Sequence, residues 1–289
     1  MGRMLLFQGL VGLSEAMYLW LVAAGLSLIF GVLRILNFAH GALYMLGAYL
    51  TFALFRWTGG SFFLALLLGP LLVAVIGLFM EVVFLRRIYR ADVAFQLLLT
   101  FAFVLIFDDL VKLAFGPVYQ SPPTPRALSG AVSVFGSVLP VYHLFILGAG
   151  CAVALGLWFF LEKTKFGLLV RATASDREMA RALGVRSSRL FTIVFMVGAW
   201  LAGLGGALSV PVRTVSPGMG ELIIIEAFVV VVLGGLGSLR GAFLGAMAIG
   251  LLHAYGILWL PVFELALAYL AMVAVLVVRP WGLFGVREA

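Results

Sequence analysis

The sequence predicts an all-α fold: a polytopic helical membrane protein of about eight or nine transmembrane segments, with broken helices and an internal repeat within reach of its pattern. Composition is the first observation behind this. The 289 residues are 64% hydrophobic and 11% charged, with a mean hydropathy of +1.21, whereas a soluble domain carries about a quarter of its residues charged. Spacing is the second, because apolar runs near the roughly 20 residues that cross hydrocarbon recur along the chain between short polar turns. The third is the clustering of arginines in two stretches, 86–90 and 162–189, that are separated by two apolar segments and so fall on the same side. No sizeable soluble domain fits, and residues 1–289 read as one membrane domain.

Leu10 to Leu33 is the first span, and its continuity with the N-terminus reads as a span rather than a cleaved signal. It stops at Arg34, before the polar insertion of Asn37, His40 and Gly41. Ala42 to Phe55 is shorter, and the turn residues Thr58, Gly59, Gly60 and Ser61 precede Phe62 to Leu85. Arg86, Arg87 and Arg90 then place the chain in the cytoplasm. After Val93 to Phe115, the segment Gly116 to Pro140 holds too many prolines to continue a helix and has few positive charges, which fits the outer side. Val141 to Leu161 returns to the polar stretch Glu162 to Arg189. Leu190 to Val210 crosses outward to a turn at Pro211, Ser216, Pro217 and Gly218, followed by Leu222 to Leu233, Ala242 to Leu260 and Phe263 to Val278, with Arg279 and Arg287 in the tail. This count puts the N-terminus outside and the C-terminus inside. Ala42 to Phe55 and Leu222 to Leu233 are short enough to be half-helices. NFAHGALYMLGA around Gly41 resembles GSLRGAFLGA around Gly241, and both arms run the same way, so the repeat they suggest is parallel.

The polar stretch carries its own helix. Ser175 and Glu178 form a capping-box spacing, so a helix is expected from Asp176, and Gly184 is placed to end it. Met179, Ala180 and Leu183 share one face, with Arg177 and Arg181 elsewhere. So short a helix is unstable alone in water, so its stripe docks either on another protein or on the ends of its own spans.

Catalytic and metal sites find no support. His40, His143 and His253 are scattered, no zinc, nucleophile-elbow or phosphate-loop motif occurs, and the single Cys151 lies in an apolar run. The net charge of +7 reads as orientation and attraction to lipid headgroups, not nucleic-acid binding. Glycine-interrupted segments are where a solute path through lipid is expected, which marks Asn37, His40, Gly41, Gly234, Gly235, Gly237 and Ser238 as path candidates against a packing alternative. For Gly203, Gly205 and Gly206, close helix packing is the better reading. Asp108 and Lys112 are spaced to pair on one helix face, while Glu81, Glu226 and Glu264 sit near span ends where snorkelling is ordinary. An ion-coupled secondary transporter using Asp108, Asp109 or Glu226 is the rival of another class.

GLSLIFGVLRILNFAHGALYMLGAYL, RATASDREMARALGV and AFVVVVLGGLGSLRGAFLGA together resemble the permeases of branched-chain amino acid ATP-binding-cassette importers, specifically the LivH-type subunit, in order and over nearly the whole chain. The resemblance implies a single permease domain with its coupling loop at 162–189 in a bacterial inner membrane. It also implies a second related permease, two cytoplasmic ATP-binding subunits and a periplasmic or extracellular solute-binding protein. No cofactor is implied on this chain, since ATP is bound by the partners. Glu178, Ala180 and Gly184 match the family's Glu-Ala-Ala, spacer, Gly coupling pattern, with Met179 replacing the first alanine. The coupling residues are thereby Ser175, Asp176, Glu178, Met179, Ala180, Arg181, Leu183 and Gly184. Branched-chain amino acids are the expected cargo, with urea, short amides and aromatic or carboxylic acids as the alternatives.

Overall fold

The computed structural model describes residues 2–134 and 137–285, with the backbone alone for residues 3, 264 and 265. Arg287 and the side chain of Glu264 lie outside the described residues. Among the described residues there are eleven α-helices: α1 Gly2–Leu33, α2 Ala39–Trp57, α3 Phe62–Val83, α4 Val93–Phe115, α5 Val141–Lys163, α6 Lys165–Ser175, α7 Arg177–Ala182, α8 Ser187–Ser209, α9 Met219–Gly234, α10 Leu239–Trp259 and α11 Glu264–Val278. Helices α1, α3, α5, α8 and α10 contain segments long and apolar enough to cross a membrane. Arg34, Arg86 and Arg177 come together at one end of the bundle, the basic end, in an all-α polytopic membrane architecture of the class expected.

Helix α8 is the hub, and glycine explains why. A Cβ on Gly203 would lie 2.8 Å from Val73 of α3, one on Gly205 3.0 Å from the Tyr18 carbonyl of α1, and one on Gly206 2.0 Å from the Tyr44 carbonyl of α2. With no side chains in the way, the three neighbours approach α8 at backbone distance, the packing expected of small residues in a membrane. The outer faces of α3 and α4 carry exposed Leu67, Phe79, Phe95 and Leu98 instead, the apolar surface that lipid requires.

Two segments depart from a simple row of spans. Arg34 has a left-handed φ of 56°, which turns the chain at the end of α1. The chain then climbs back inside the bundle before α2 starts, because the His40 Nε2 donates to the Val22 carbonyl at 3.0 Å, and His40 packs on Gly25. Those contacts lie about 12–16 Å back from Leu33 at 1.5 Å per residue. Helix α9 likewise begins inside the bundle, and the two helix starts meet: a Cβ on Gly41 would lie 2.1 Å from the Gly220 carbonyl oxygen. The short apolar segments of the sequence are thus helices that start inside the bundle, α2 being entered through a non-helical stretch that buries Ile35 and Asn37. The arms around Gly41 and Gly241 do run the same way, but they begin at different depths, since Gly241 packs on Gly234 at the far end of α9.

At the opposite end the proline-rich segment contains a feature the sequence did not suggest, a hairpin of β1 Ala131–Val134 and β2 Ser137–Pro140. Gln120 and Val215 exchange backbone hydrogen bonds of 2.9 and 2.8 Å, tying this segment to the turn before α9. Asp108 is a structural residue, as its spacing suggested. It pairs with Lys112 at 2.5 Å, and its other oxygen accepts the Gly218 N–H at 2.6 Å, holding the start of α9.

Candidate functional site

The basic end is built around α7. Its N-cap is Asp176, not Ser175: the Asp176 carboxylate accepts from the Glu178 and Met179 N–H groups at 3.0 and 2.9 Å, and Ser175 is the last residue of α6. An aspartate caps as well as a serine and adds a negative charge at the positive end of the helix, so it displaces Ser175 by one position. Gly184 ends the turn at φ 88°, with the Gly184 and Val185 N–H groups donating to Arg181 and Ala180. The apolar face divides in two. Ala180 is buried, whereas Met179 and Leu183 are 57% and 79% exposed, so the stripe does not pack on the chain's own spans.

Around it stand arginines. Arg86, Arg87, Arg90, Arg177 and Arg181 line one hollow of about 430 Å³ with Glu178, which brings the two basic clusters of the sequence to the same side. Arg177 lies 4.3 Å over the Phe191 ring at the start of α8. Burial, and then the charge of Arg181, pushes the Arg177 guanidinium below its ordinary range. Arg181 Nε donates to Ser187 Oγ at 3.2 Å, so both arginines fasten α7 to α8.

Glu81 corrects a sequence expectation. It does not snorkel to the interface but is fully buried, receiving Arg86 at 3.1 Å, the Tyr89 hydroxyl at 2.5 Å and the Thr192 hydroxyl at 2.8 Å. Burial, together with donation to Glu81, holds the Tyr89 hydroxyl above its usual range. This network joins the end of α3 to α8. Arg86→Ala leaves a buried carboxylate short of its countercharge; because Arg86 is 38% exposed and Tyr89 and Thr192 still donate to Glu81, the cost falls below the roughly 3–5 kcal/mol of breaking a fully buried pair. Thermal unfolding in detergent should show the loss as a clearly lowered midpoint, with Arg86→Lys intermediate.

The path candidates form two places, not one. Asn37, His40 and Gly41 lie at the inner start of α2 against α9. Asn37 is buried and neither end of its amide has a hydrogen-bond partner among the described residues; the same holds for His40 Nδ1. Gly234, Gly235, Gly237 and Ser238 sit at the basic end, roughly 20 Å away along α9. There Gly235 and Gly237 adopt φ of 103° and 80°, and Ser238 Oγ accepts the Gly241 N–H at 3.1 Å as the cap of α10. Gly237 and Ser238 border an apolar groove of about 700 Å³ between α1, α5 and α10. Glu162 lines it too, and pairs with Arg171 at 3.5 Å and Arg240 at 3.3 Å.

Sequence reasoning passed over Arg213, in the turn after α8. Its guanidinium lies 5.2 Å from the Tyr18 ring centre, next to Tyr44, and Tyr44 donates to Ser209 at 2.8 Å. Glu226 is half-buried midway along α9, not at a span end, and its charge acts on Arg213. The available signal was an arginine in a turn assigned to the side that carries few positive charges.

Comparisons with known proteins agree with this architecture. The family described as the branched-chain amino acid transport system permease component matches residues 10–278. The chain is 28% identical over 290 residues to the high-affinity branched-chain amino acid transport system permease protein BraD of Pseudomonas aeruginosa, covering 96% of this chain and 94% of that protein. It is 26% identical to the LivH permease proteins of the corresponding systems of Escherichia coli and Salmonella typhimurium, covering 93% of this chain and 91% of each of them.

Proposed function

The chain belongs to the branched-chain amino acid transport permease family, and from that premise we propose that it is the permease subunit of an ATP-binding-cassette importer for branched-chain amino acids. It forms the translocation path, and the nucleotide is bound and hydrolysed on separate subunits. The observation that carries this reading is α7: Met179 on this helix of 6 residues and Leu183 at its C-cap stand exposed, and five arginines line the hollow beside Glu178. Such a surface fits a partner that offers an apolar groove bordered by carboxylates.

In this reading the basic end faces the cytoplasm of a bacterial inner membrane, with the N-terminus outside and the C-terminus inside. Two ATP-binding subunits dock there, one of them on α7. A second, related permease completes the path, and a solute-binding protein delivers cargo at the opposite end. Closure of the ATP-binding subunits pushes α7, and the Arg177 and Arg181 contacts pass the push to α8. Because α8 packs on α1, α2 and α3, its displacement reaches the place where α2 and α9 begin. The nucleotide biases two arrangements of the bundle through their different contacts with the ATPases.

Two of the three carboxylates an ion-coupled carrier would use are poorly placed for it: Asp108 is engaged by Lys112 and Gly218, and Asp109 is 80% exposed. The test is reconstitution. This chain alone in liposomes with a proton or sodium gradient should move no leucine, and the full set of subunits should move it only with ATP. Gradient-driven uptake by the chain alone would overturn the assignment.

A further inference from the structure

The end of the bundle opposite α7 holds a second constellation that coupling does not use. A cavity of about 280 Å³ opens between the middle of α1, the start of α5 and the turn after α8, just below the roughly 300–1,000 Å³ range of drug-sized ligand pockets. Glu15, Tyr18, His143 and Arg213 supply its polar wall, and Tyr142 and Val212 its apolar one. These groups are fixed. Arg213 lies over the Tyr18 ring, His143 Nδ1 and Ser14 Oγ are 2.6 Å apart, and the Tyr142 hydroxyl donates to the Leu208 carbonyl at 2.8 Å. The Tyr18 hydroxyl is buried and has no hydrogen-bond partner among the described residues.

A guanidinium and a carboxylate presented in one small cavity with an aromatic and aliphatic wall match three parts of one kind of solute. Arginine suits a carboxylate because its planar fork can bind both oxygens. A carboxylate attracts an ammonium and repels a second anion. Valine and tyrosine surfaces take up a branched aliphatic side chain. Arg213 also neighbours Tyr44, which places the cavity next to α2.

We propose that this cavity is a handover site for the incoming amino acid: Arg213 takes the α-carboxylate, Glu15 the α-ammonium, and the wall of Tyr142 and Val212 the side chain. The proposal rests on the reading that the cargo is a branched-chain α-amino acid. It assigns to the permease a recognition step for zwitterions ahead of the contact between Gly41 and Gly220.

The assembled importer tests it, carrying Cys151→Ser and a reporter, Thr124→Cys, on the cavity wall. L-leucine should slow maleimide labelling of the reporter at least five-fold, and 4-methylpentanoate, which lacks the ammonium, should not. Arg213→Gln and Glu15→Gln should each abolish the protection and lower leucine uptake about ten-fold or more, and if Arg213→Gln does not assemble, Glu15→Gln decides. Labelling indifferent to leucine in a complex that transports leucine overturns the site and leaves the cargo assignment standing, as does protection that survives Glu15→Gln. A wild-type complex that does not carry leucine overturns the cargo assignment, and the site with it.

Discussion

Met179→Asp in the assembled importer should abolish ATP-driven leucine uptake, by at least about thirty-fold, while the chain still inserts and accumulates. The side chain is 57% exposed, so a carboxylate there costs the isolated chain little. In the complex the same carboxylate would be pressed into a groove that fits an apolar side chain. Anchors of that kind cost about 2 kcal/mol or more when lost, which is close to thirty-fold. Leu183→Asp, at 79% exposure on the C-cap of the same short helix, should behave alike. Co-purification of the ATP-binding subunits separates lost docking from lost folding. Uptake at the wild-type rate in Met179→Asp would count directly against α7 as the docking element.

Gly41→Val should prevent the bundle from closing. The added Cβ would meet the Gly220 carbonyl oxygen at 2.1 Å and Ile224 Cβ at 2.7 Å, and the contact is reciprocal, with a Gly220 Cβ falling 2.6 Å from the Gly41 oxygen. Backbone cannot swing aside as a long side chain can. The expected cost is at or beyond the upper end of the 1–3 kcal/mol typical of overpacking, about 3 kcal/mol. Gly148→Val on the open face of α5, where a Cβ meets nothing within 4 Å, is the matched control. Folded yield after detergent extraction and the unfolding midpoint should both drop for Gly41→Val and stay near wild type for the control.

Much of this architecture was legible because lipid makes composition speak plainly. A long apolar run between arginines has few fates in a membrane, and residues 162–189 stood out because apolar residues stop dominating there. The end of α7 was equally legible, since Gly184 does what only glycine does readily at φ 88°. Its start was missed by one residue because Ser175 and Asp176 are both good caps, and only the fold of α6 decides which is free to cap. Depth was not legible. Whether Ala42 to Phe55 is a full span or a helix entered from inside depends on His40 reaching Val22, a contact between residues 18 apart. The burial of Glu81 depends on Thr192, 111 residues away, and local spacing carries no trace of it. Arg213 left a cue in its charge, but its neighbours Tyr18 and Tyr44 lie on other helices.

The account stands or falls on which side of the membrane α7 occupies. Ser175 is exposed immediately before it, and Ser175→Cys in a Cys151→Ser chain gives a single thiol there. A membrane-impermeant maleimide applied to intact cells should leave that thiol unlabelled until the membrane is opened. Labelling from outside would put α7 beyond the reach of cytoplasmic ATPases and contradict the coupling mechanism.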